Sequence, residues 1–385
     1  MYCVYFILVR TPTGSFLGGL KSESAVKLGS VAIRGALEKI KVGGEKVDEV
    51  FMGSVLQGGL KQAPVTQAML GAGIPYTTPS TTVNKVCASG MKSVMFGAQA
   101  IQLKQANVIV AGGMESMSNA PYLVPRGLTY GMQQLSDMII HDGLLDPYDN
   151  ISMGLCTEEV AEKHNITREM QDAYSVASYE RAQEAHKNGL FAEEIVPVEI
   201  QSRKGKTVVE SDEEIFKVKF DKVSEVKPVF KKDGTITVIS ASKISDGASA
   251  MVLMGEDAVQ KSGIKPLAEI ISYADAATKP KHFATAPLLA IPIALKRANL
   301  ALKDIAKWEL NEAFSVVPLL ATKVFGIDHS IINTRGSGIS LGHPLGSSGS
   351  RILVTLTHML KQNEYGCAAI CNGGGGASAV IIKKL

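Results

Sequence analysis

No apolar run in this chain of 385 residues is long; each is soon broken by glycine or by a charged residue, which excludes a transmembrane helix. A strong charge of one sign is also missing. Charged residues make up 20 % and the formal net charge is +3, so no field favours nucleic acid or a membrane surface, and small-molecule partners are expected instead. No secretion signal is expected, and the five cysteines, at positions 3, 87, 156, 367 and 371, are an odd number. Together these point to a reducing compartment and free thiols without a disulfide framework. The opening MYCVYFILVRTPTG lacks the Arg- and Ser-rich amphipathic stretch of an organelle transit peptide, although a processed chain would start in the same way. The expectation is a soluble protein long enough for two or three domains sharing a large core.

What the chain does have is glycine, 37 residues, much of it gathered in a few motifs. Between Leu28 and Ala111, apolar β-rich runs alternate with runs of helical period, which implies a parallel sheet covered by helices. A similar order returns after Pro266, so the chain reads as internally duplicated. Phe51 lies 36 residues before Cys87, and Trp308 lies 35 before His343. Each of Cys87 and His343 has a glycine three residues on, Gly90 and Gly346, before a helical pattern begins. Pseudo-equivalent halves would bring these two loops together at matching ends of paired sheets. From Glu115 to Lys243 the composition changes. Here lie the amphipathic run TREMQDAYSVASYERAQEAHKNG and a mixed-charge part, 203–232, with nine Lys or Arg against six Asp or Glu. This stretch reads as an inserted, lid-like domain, and solvation alone would account for its lysines. The run SDGASAMVLM, from Ser245, returns to the first half.

Four residues could carry chemistry. Cys87 falls between an apolar run and a helical pattern, where unpaired N–H groups at a helix start lower a thiol pKa; the alternative is one more small buried cysteine. His343 sits in GHP, and an imidazole opposite Cys87 could accept the thiol proton. Cys371 precedes Asn372 and four glycines, 373 to 376, whose backbone N–H groups can form an oxyanion-binding nest. No Lys-Ser/Thr follows that run, so a nucleotide P-loop is disfavoured. A second thiol there can act as acid or base toward carbon. Asn311, in NEAF, either donates to an oxyanion or orients a water, or simply caps a helix.

With these residues in place, the chain resembles the thiolases nearly end to end, through RTPTGSFLG, SVLQGG, NKVCASGMKS, VAGGMESMSN, NEAF, SLGHP and CNGGGGASA. Within them it resembles the acetoacetyl-CoA thiolases (acetyl-CoA acetyltransferases). MESMSN with CNGGGGAS is the spelling of the potassium-activated mitochondrial type of animals. The resemblance implies an α/β thiolase fold: two duplicated βαβαβαββ halves forming a layered αβαβα core, with an inserted α+β loop domain. The halves are 1–114, with a return at 244–265, and 266–385; the insertion is 115–243.

It also implies a transferase that interconverts two acetyl-CoA with acetoacetyl-CoA plus CoA. Cys87, activated by His343, becomes acylated; Cys371 moves the α-proton; His343 with an Asn311-held water forms one oxyanion hole, and the N–H groups of Cys87 and Gly373 form the other. Coenzyme A, as substrate and product without any covalent cofactor, would meet Tyr179, Lys217, Val218, Lys219, Lys222 and Ser242, with Met153, Phe230, Ala313 and Phe314 lining the pantetheine path. A potassium ion would take the Tyr179 hydroxyl and carbonyls at Val238, Ile239, Ala241 and Ile339. The family further implies a homotetramer, a dimer of dimers touching through Pro125 to Asp142. The location is then the mitochondrial matrix if a presequence has been removed, and the cytoplasm otherwise. Two departures stand out. Arg335–Gly338 replaces the usual NGGA, so Ser337 would be strained if its position needs positive φ, and Val238 and Ile239 replace small residues beside the ion. Rival readings are a broader 3-ketoacyl-CoA thiolase, a decarboxylating ketoacyl synthase, for which Cys371 would be superfluous, and an inactive acyl-CoA-binding relative.

Overall fold

The computed structural model describes residues 4–127, 130–203 and 205–385; residues 1–3, Cys3 among them, and Leu128, Thr129 and Lys204 lie outside the described residues. Nine strands form the continuous path of one large sheet: β1 Val4–Arg10, β2 Glu49–Gly53, β3 Ser80–Val83, β4 Val108–Ser116, β5 Ser245–Gly255, β6 Ala268–Ala277, β7 Ile305–Leu310, β8 Tyr365–Asn372 and β9 Gly376–Lys384. Their order is β7-β8-β9-β6-β1-β5-β4-β2-β3. The two halves meet where β1 pairs with β6 through Val4↔Ile270, Tyr5↔Glu269 and Phe6↔Ala268. The sheet is mixed, not parallel. Only β2–β3, β2–β4 and β7–β8 run parallel, each joined through a helix, while β8 and β9 form a hairpin closed by the glycine run. Alternation of strand and helix sets where crossovers fall, not which way the remaining neighbours run. In the second half the counterpart of β3 is a single bridge between Trp308 and Ile332.

Side-chain alternation with a period of two divides each half-sheet between two cores. Phe6 and Leu8 of β1, Ile109 and Ala111 of β4, and Met251 and Leu253 of β5 face a central core. So do Ala368, Ile370, Val380 and Ile382 of the second half. Helices α3 (Ser89–Gln102) and α9 (Leu345–Met359) fill the space between, with Met91, Val94, Ile352 and Leu356 in that same core. The intervening strand positions, Val110, Ala250 and Val252, pack outward on α1 (Ala25–Ile40) and α2 (Pro64–Gly71). On the other side, Ala369, Ala379 and Ile381 pack outward with α7 (Pro287–Ala298) and α8 (Val316–Phe325). The result is a five-layer αβαβα stack.

Glycine lets the middle helices touch. A Cβ on Gly90 would lie 2.8 Å from the Gly346 carbonyl oxygen, and one on Gly113 would lie 1.9 Å from it. Glycine at position 90 allows the starts of α3 and α9 to cross in backbone contact, glycine at 113 lets α9 rest against β4, and the crossing brings the loops before the two helices together. The insertion supplies α4 (Met153–Lys163), α5 (Arg168–Lys187) and the hairpin Val198–Ser202/Gly205–Val209. Helix α5 begins where the Thr167 side chain accepts a hydrogen bond from the Met170 N–H. A short helix, α6 (Glu256–Ser262), follows β5. Fully buried Arg10 of β1 binds Asp212 at 2.7 Å and Glu194 at 2.8 Å, so the insertion is keyed to the core through paired buried charge. Among the described residues no helix is long and apolar enough to cross a membrane.

Candidate active site

Between β3 and α3 the chain turns sharply through Asn84–Ala88. Val86 sits at φ 48°, a left-handed conformation that costs a β-branched residue about 1–3 kcal/mol. Local bonds hold it there: Ser89 Oγ accepts from the Lys85 N–H at 2.8 Å and donates to the Val86 carbonyl at 2.6 Å. Lys85 Nζ reaches Asp275 of β6 and donates to Ser378 Oγ of β9 at 2.8 Å, while Lys92 Nζ binds Asp275 at 2.6 Å. The turn is thus clamped to the second half. Cys87 is only 9 % exposed. Burial pushes its thiol up to about 12, against the pull of N–H groups at Gly373 and Cys87 itself, with the charge of Glu115 adding to the rise. The helix start was expected to lower this pKa; burial outweighs it, and the resting sulfur is a thiol.

His343 is buried one residue before Pro344, the N-cap position of α9. Burial, then the Arg351 charge, pulls its pKa down to about 3, so the ring is neutral. Its tautomer follows from the hydrogen bonds. Ser348 Oγ donates its one proton to the Pro344 carbonyl at 2.9 Å, and so accepts from His343 Nδ1–H at 2.5 Å. Nε2 is left as an acceptor, 3.5 Å from the Asn311 side-chain amide nitrogen. An imidazole in that state can take a thiol proton. Asn311 does not cap a helix; Ser315 holds that position for α8. Its N–H instead bonds the Ala369 carbonyl of β8 at 3.0 Å.

Cys371 is buried one residue before the end of β8, and its thiol is raised by burial first and then by the charge of Cys87, which places the two sulfurs within each other's field. The following turn supplies the Gly373 N–H to Cys87, while Gly374 and Gly375 take the positive φ values of 81° and 82° that the hairpin requires. The four described cysteines, 87, 156, 367 and 371, are all free. Sulfur 87, sulfur 371 and imidazole 343 therefore come from three segments that converge at the crossing of α3 and α9.

A cavity of about 400 Å³ opens beside the imidazole, lined by His343, Leu345 and Phe314 of the core and by Glu214, Val229 and Phe230 of the insertion, with Ser242 and Lys243 between; neither Cys87 nor Cys371 is among the described residues lining it. Of the residues expected along coenzyme A, Ser242, Phe230 and Phe314 line this cavity. Ala313 accepts from the Ser242 N–H at 3.0 Å, and Met153 shares a buried cluster with Ala313, Phe314 and Cys371. Lys217, Val218, Lys219, Lys222 and Tyr179 are not among the described residues lining it. The three lysines are exposed, and Lys217 Nζ bonds Ser15 and, at 3.2 Å, Glu214 on the cavity wall.

The potassium residues do gather. Tyr179, Ile239 and Ile339 share one small cluster. Yet Lys243 Nζ already donates to the Val238 carbonyl and, at 2.9 Å, to the Ala241 carbonyl, and stands 5.9 Å from the centre of the Tyr179 ring. A cradle whose oxygens are taken by an ammonium does not fit a further cation. At the other departure, the positive φ belongs to Gly336, at 73°, and Ser337 is free of that strain; its hydroxyl accepts from buried Arg351 at 2.7 Å. Three residues escaped the sequence reading. Ser348 orients the imidazole. Lys243 fills the cradle. Buried Glu115, pushed up to about 7 by burial, accepts from the N–H groups of Val55, Leu56 and Gly346 and so ties the segment after β2 to the start of α9. Only the hydroxyl-rich GSSGS after His343 hinted at the first.

The family model "Thiolase, N-terminal domain" matches residues 6–257 and "Thiolase, C-terminal domain" matches residues 264–384. The chain is 55 % identical over 380 residues to the mitochondrial acetyl-CoA acetyltransferase of Rattus norvegicus, covering 98 % of this chain and 89 % of that one. It is 52 % identical over 376 residues to the acetyl-CoA acetyltransferase of Yarrowia lipolytica, covering 98 % and 95 %. The structure of Acat5 thiolase from Ascaris suum in complex with coenzyme A superposes with a TM-score of 0.96 at 45 % identity, covering 100 % of both chains. Matched through both domain models and along its whole fold, the chain belongs to the thiolase family.

Proposed function

We propose that this chain is an acetyl-CoA C-acetyltransferase, interconverting two acetyl-CoA with acetoacetyl-CoA plus CoA through an acetyl-cysteine intermediate. The observation that carries the reading is the meeting of a buried thiol, a second thiol within its field, and a neutral imidazole whose Nε2 is an acceptor. Relatives named acetyl-CoA acetyltransferase and a thiolase neighbour holding coenzyme A support it.

Each step follows from where the protons sit. His343 Nε2 takes the Cys87 proton as sulfur attacks the thioester carbonyl, and the departing CoA sulfur takes the proton of Cys371; the acetyl group stays on Cys87, His343 is left as imidazolium and Cys371 as thiolate. A second acetyl-CoA then gives its α-proton to the sulfur of Cys371. Negative charge on its thioester oxygen is met by the Nε2–H that His343 gained from Cys87 and by a water at Asn311. The carbanion attacks acetyl-Cys87, the oxygen there is met by the N–H groups of Cys87 and Gly373, and acetoacetyl-CoA leaves as the released Cys87 sulfur takes back its proton from His343. A covalent intermediate makes the kinetics ping-pong. Coenzyme A lies in the cavity between insertion and core, its pantetheine arm along Met153, Phe230, Ala313 and Phe314 and its phosphates toward Lys217, Lys219 and Lys222, which suit them as point charges.

Mass spectrometry after incubation with acetyl-CoA tests the reading: the Cys87 peptide gains one acetyl group, and an unmodified Cys87 would leave only acyl-CoA binding. Thiolysis of acetoacetyl-CoA against a medium-chain 3-ketoacyl-CoA tests the substrate, and equal or better use of the longer chain would replace it with a broader 3-ketoacyl-CoA thiolase. The assembly is a homotetramer, supported by exposed Tyr130, Met132, Leu135 and Ile140 in the 125–142 segment, whose apolar surface suits a partner copy. Light scattering that finds a stable monomer would end that part. The matrix location is supported by the mitochondrial relatives, and cell fractionation decides it against the cytoplasm.

A further inference from the structure

We infer that the ammonium of Lys243 does the work of a bound monovalent cation: the chain carries its own positive charge in the carbonyl cradle beside His343 and runs without potassium. This rests on the thiolase reading above. Lys243 is half-buried on the cavity wall, and its Nζ partners are two main-chain carbonyls, Val238 and, at 2.9 Å, Ala241. The ring of Tyr179 lies beneath it at 5.9 Å, and Glu214 and Glu312 are the carboxylates whose charge it feels. Oxygens and an aromatic face around one point satisfy an ammonium as they would a weakly hydrated cation, and a second positive charge at contact distance would be repelled.

The cradle is wired to the chemistry through the backbone. The turn 237–241 is closed by the Ala241 N–H to the Thr237 carbonyl at 3.1 Å and by the Thr237 N–H to Ser240 Oγ at 2.9 Å. From there Ser240 accepts from the Ser315 N–H at 2.9 Å, and Ser242 donates to the Ala313 carbonyl at 3.0 Å, so the segment after Asn311 is fixed to the same turn. On the other side, the Lys243 carbonyl accepts from the His343 N–H at 3.0 Å and from Ser245 Oγ at 2.9 Å. One side chain thus braces the turn against both the imidazole and the Asn311 segment. Lys243 is a positioning residue.

The test uses wild type, Lys243→Ala and Lys243→Arg in tetramethylammonium chloride, potassium chloride or ammonium chloride at equal ionic strength, reading thermal midpoint together with kcat and KM for acetoacetyl-CoA thiolysis. Wild type is expected to show the same midpoint and kcat in all three salts. Lys243→Ala should lose roughly 10- to 100-fold in kcat and several degrees of midpoint in tetramethylammonium, because two carbonyls lose their donor. Both should return with potassium or ammonium, and Lys243→Arg should retain most of each without them. A wild-type kcat or midpoint that rises severalfold or by several degrees with potassium would overturn the inference, as would Lys243→Ala behaving as wild type in tetramethylammonium. If Lys243→Ala does not fold, the wild-type comparison decides alone. A wild type inert in every salt would instead sink the activity, while its midpoints still judge the cation.

Discussion

The two loops that meet at the crossing of α3 and α9 hold their reacting side chains by opposite means. Around Cys87 the backbone is strained, with Val86 at φ 48°, and the restraint is ionic and partly exposed: Lys85 and Lys92 share Asp275, whose side chain is 34 % exposed. Around His343 the ring is buried and held by neutral groups, Ser348 on one nitrogen and Asn311 near the other. On the proposed mechanism, the difference follows from what each must do. A base has to stay unprotonated, which burial among hydroxyls and amides ensures, whereas a carboxylate on the ring would raise its pKa. A nucleophile has to be aimed, and a clamp outside the cavity aims the backbone without placing charge beside the sulfur.

Removing the base should break the neutral side of this comparison hardest. His343→Asn is expected to lower kcat for acetoacetyl-CoA thiolysis by about 10²–10⁴, with acetylation of Cys87 by acetyl-CoA slowed alongside it in quenched mass spectrometry. A loss under tenfold would mean that another group takes the proton. Asn311→Ala should cost about 10²–10³ in kcat, while the rate of Cys87 acylation falls less than turnover, because the amide serves the oxygen of the second thioester. Equal losses in both steps would remove that assignment.

Burial sharpens the comparison through pH. A thiol pushed up to about 12 is almost wholly protonated at neutrality, so below that value thiolate becomes about tenfold more abundant with each unit that pH rises. Alkylation of Cys87 by iodoacetamide in the free enzyme should therefore climb steadily from pH 7 to about pH 10, without the plateau near the ordinary thiol value. A plateau at or below neutrality would show that the helix start, not burial, governs the sulfur.

Much of this architecture was legible in the chain because it is written in period and spacing. Apolar β-rich runs gave the strands, the amphipathic run ended by Asn188–Gly189 gave α5, and the matched positions of Cys87 and His343 gave two loops that belong together. Strand direction was not legible, since a residue pattern is the same read along either sense of a ladder; β5 therefore emerged only in the structure as antiparallel to both β1 and β4. Nor was the balance at Cys87, where a local helix start argues one way and long-range burial the other, and only coordinates supply the second. Lys243 reads in sequence as a solvated lysine, because nothing local says that a four-carbon stem folds back over the turn preceding it. The same limit applies at Arg335–Gly338: the composition warned of strain, but which residue takes the positive φ depends on the path of the chain, and it falls on Gly336.

The smallest expected effect tests the ionic side. Asp275 is worked upward by burial, yet its hydrogen bonds from Lys85, Lys92 and Ser378 outweigh this and hold its carboxyl below the ordinary 3.8. A folded pKa below the unfolded one means that the clamp contributes fully above pH 3.8 and is lost as pH falls below it. Asp275→Asn removes the charge at every pH while keeping an oxygen for the Ser378 hydroxyl, which donates to it at 2.6 Å. Because the pair is partly exposed, the stability change should be about 1 kcal/mol or less. Turnover should respond more than stability does, since Val86 keeps its unfavourable φ only while its neighbours are held: kcat is expected to fall a few-fold with KM unchanged, and iodoacetamide should reach Cys87 faster as the turn loosens. If kcat, KM and alkylation all match wild type, Ser89 and its two backbone bonds suffice to hold the turn, and both loops are secured by neutral groups after all.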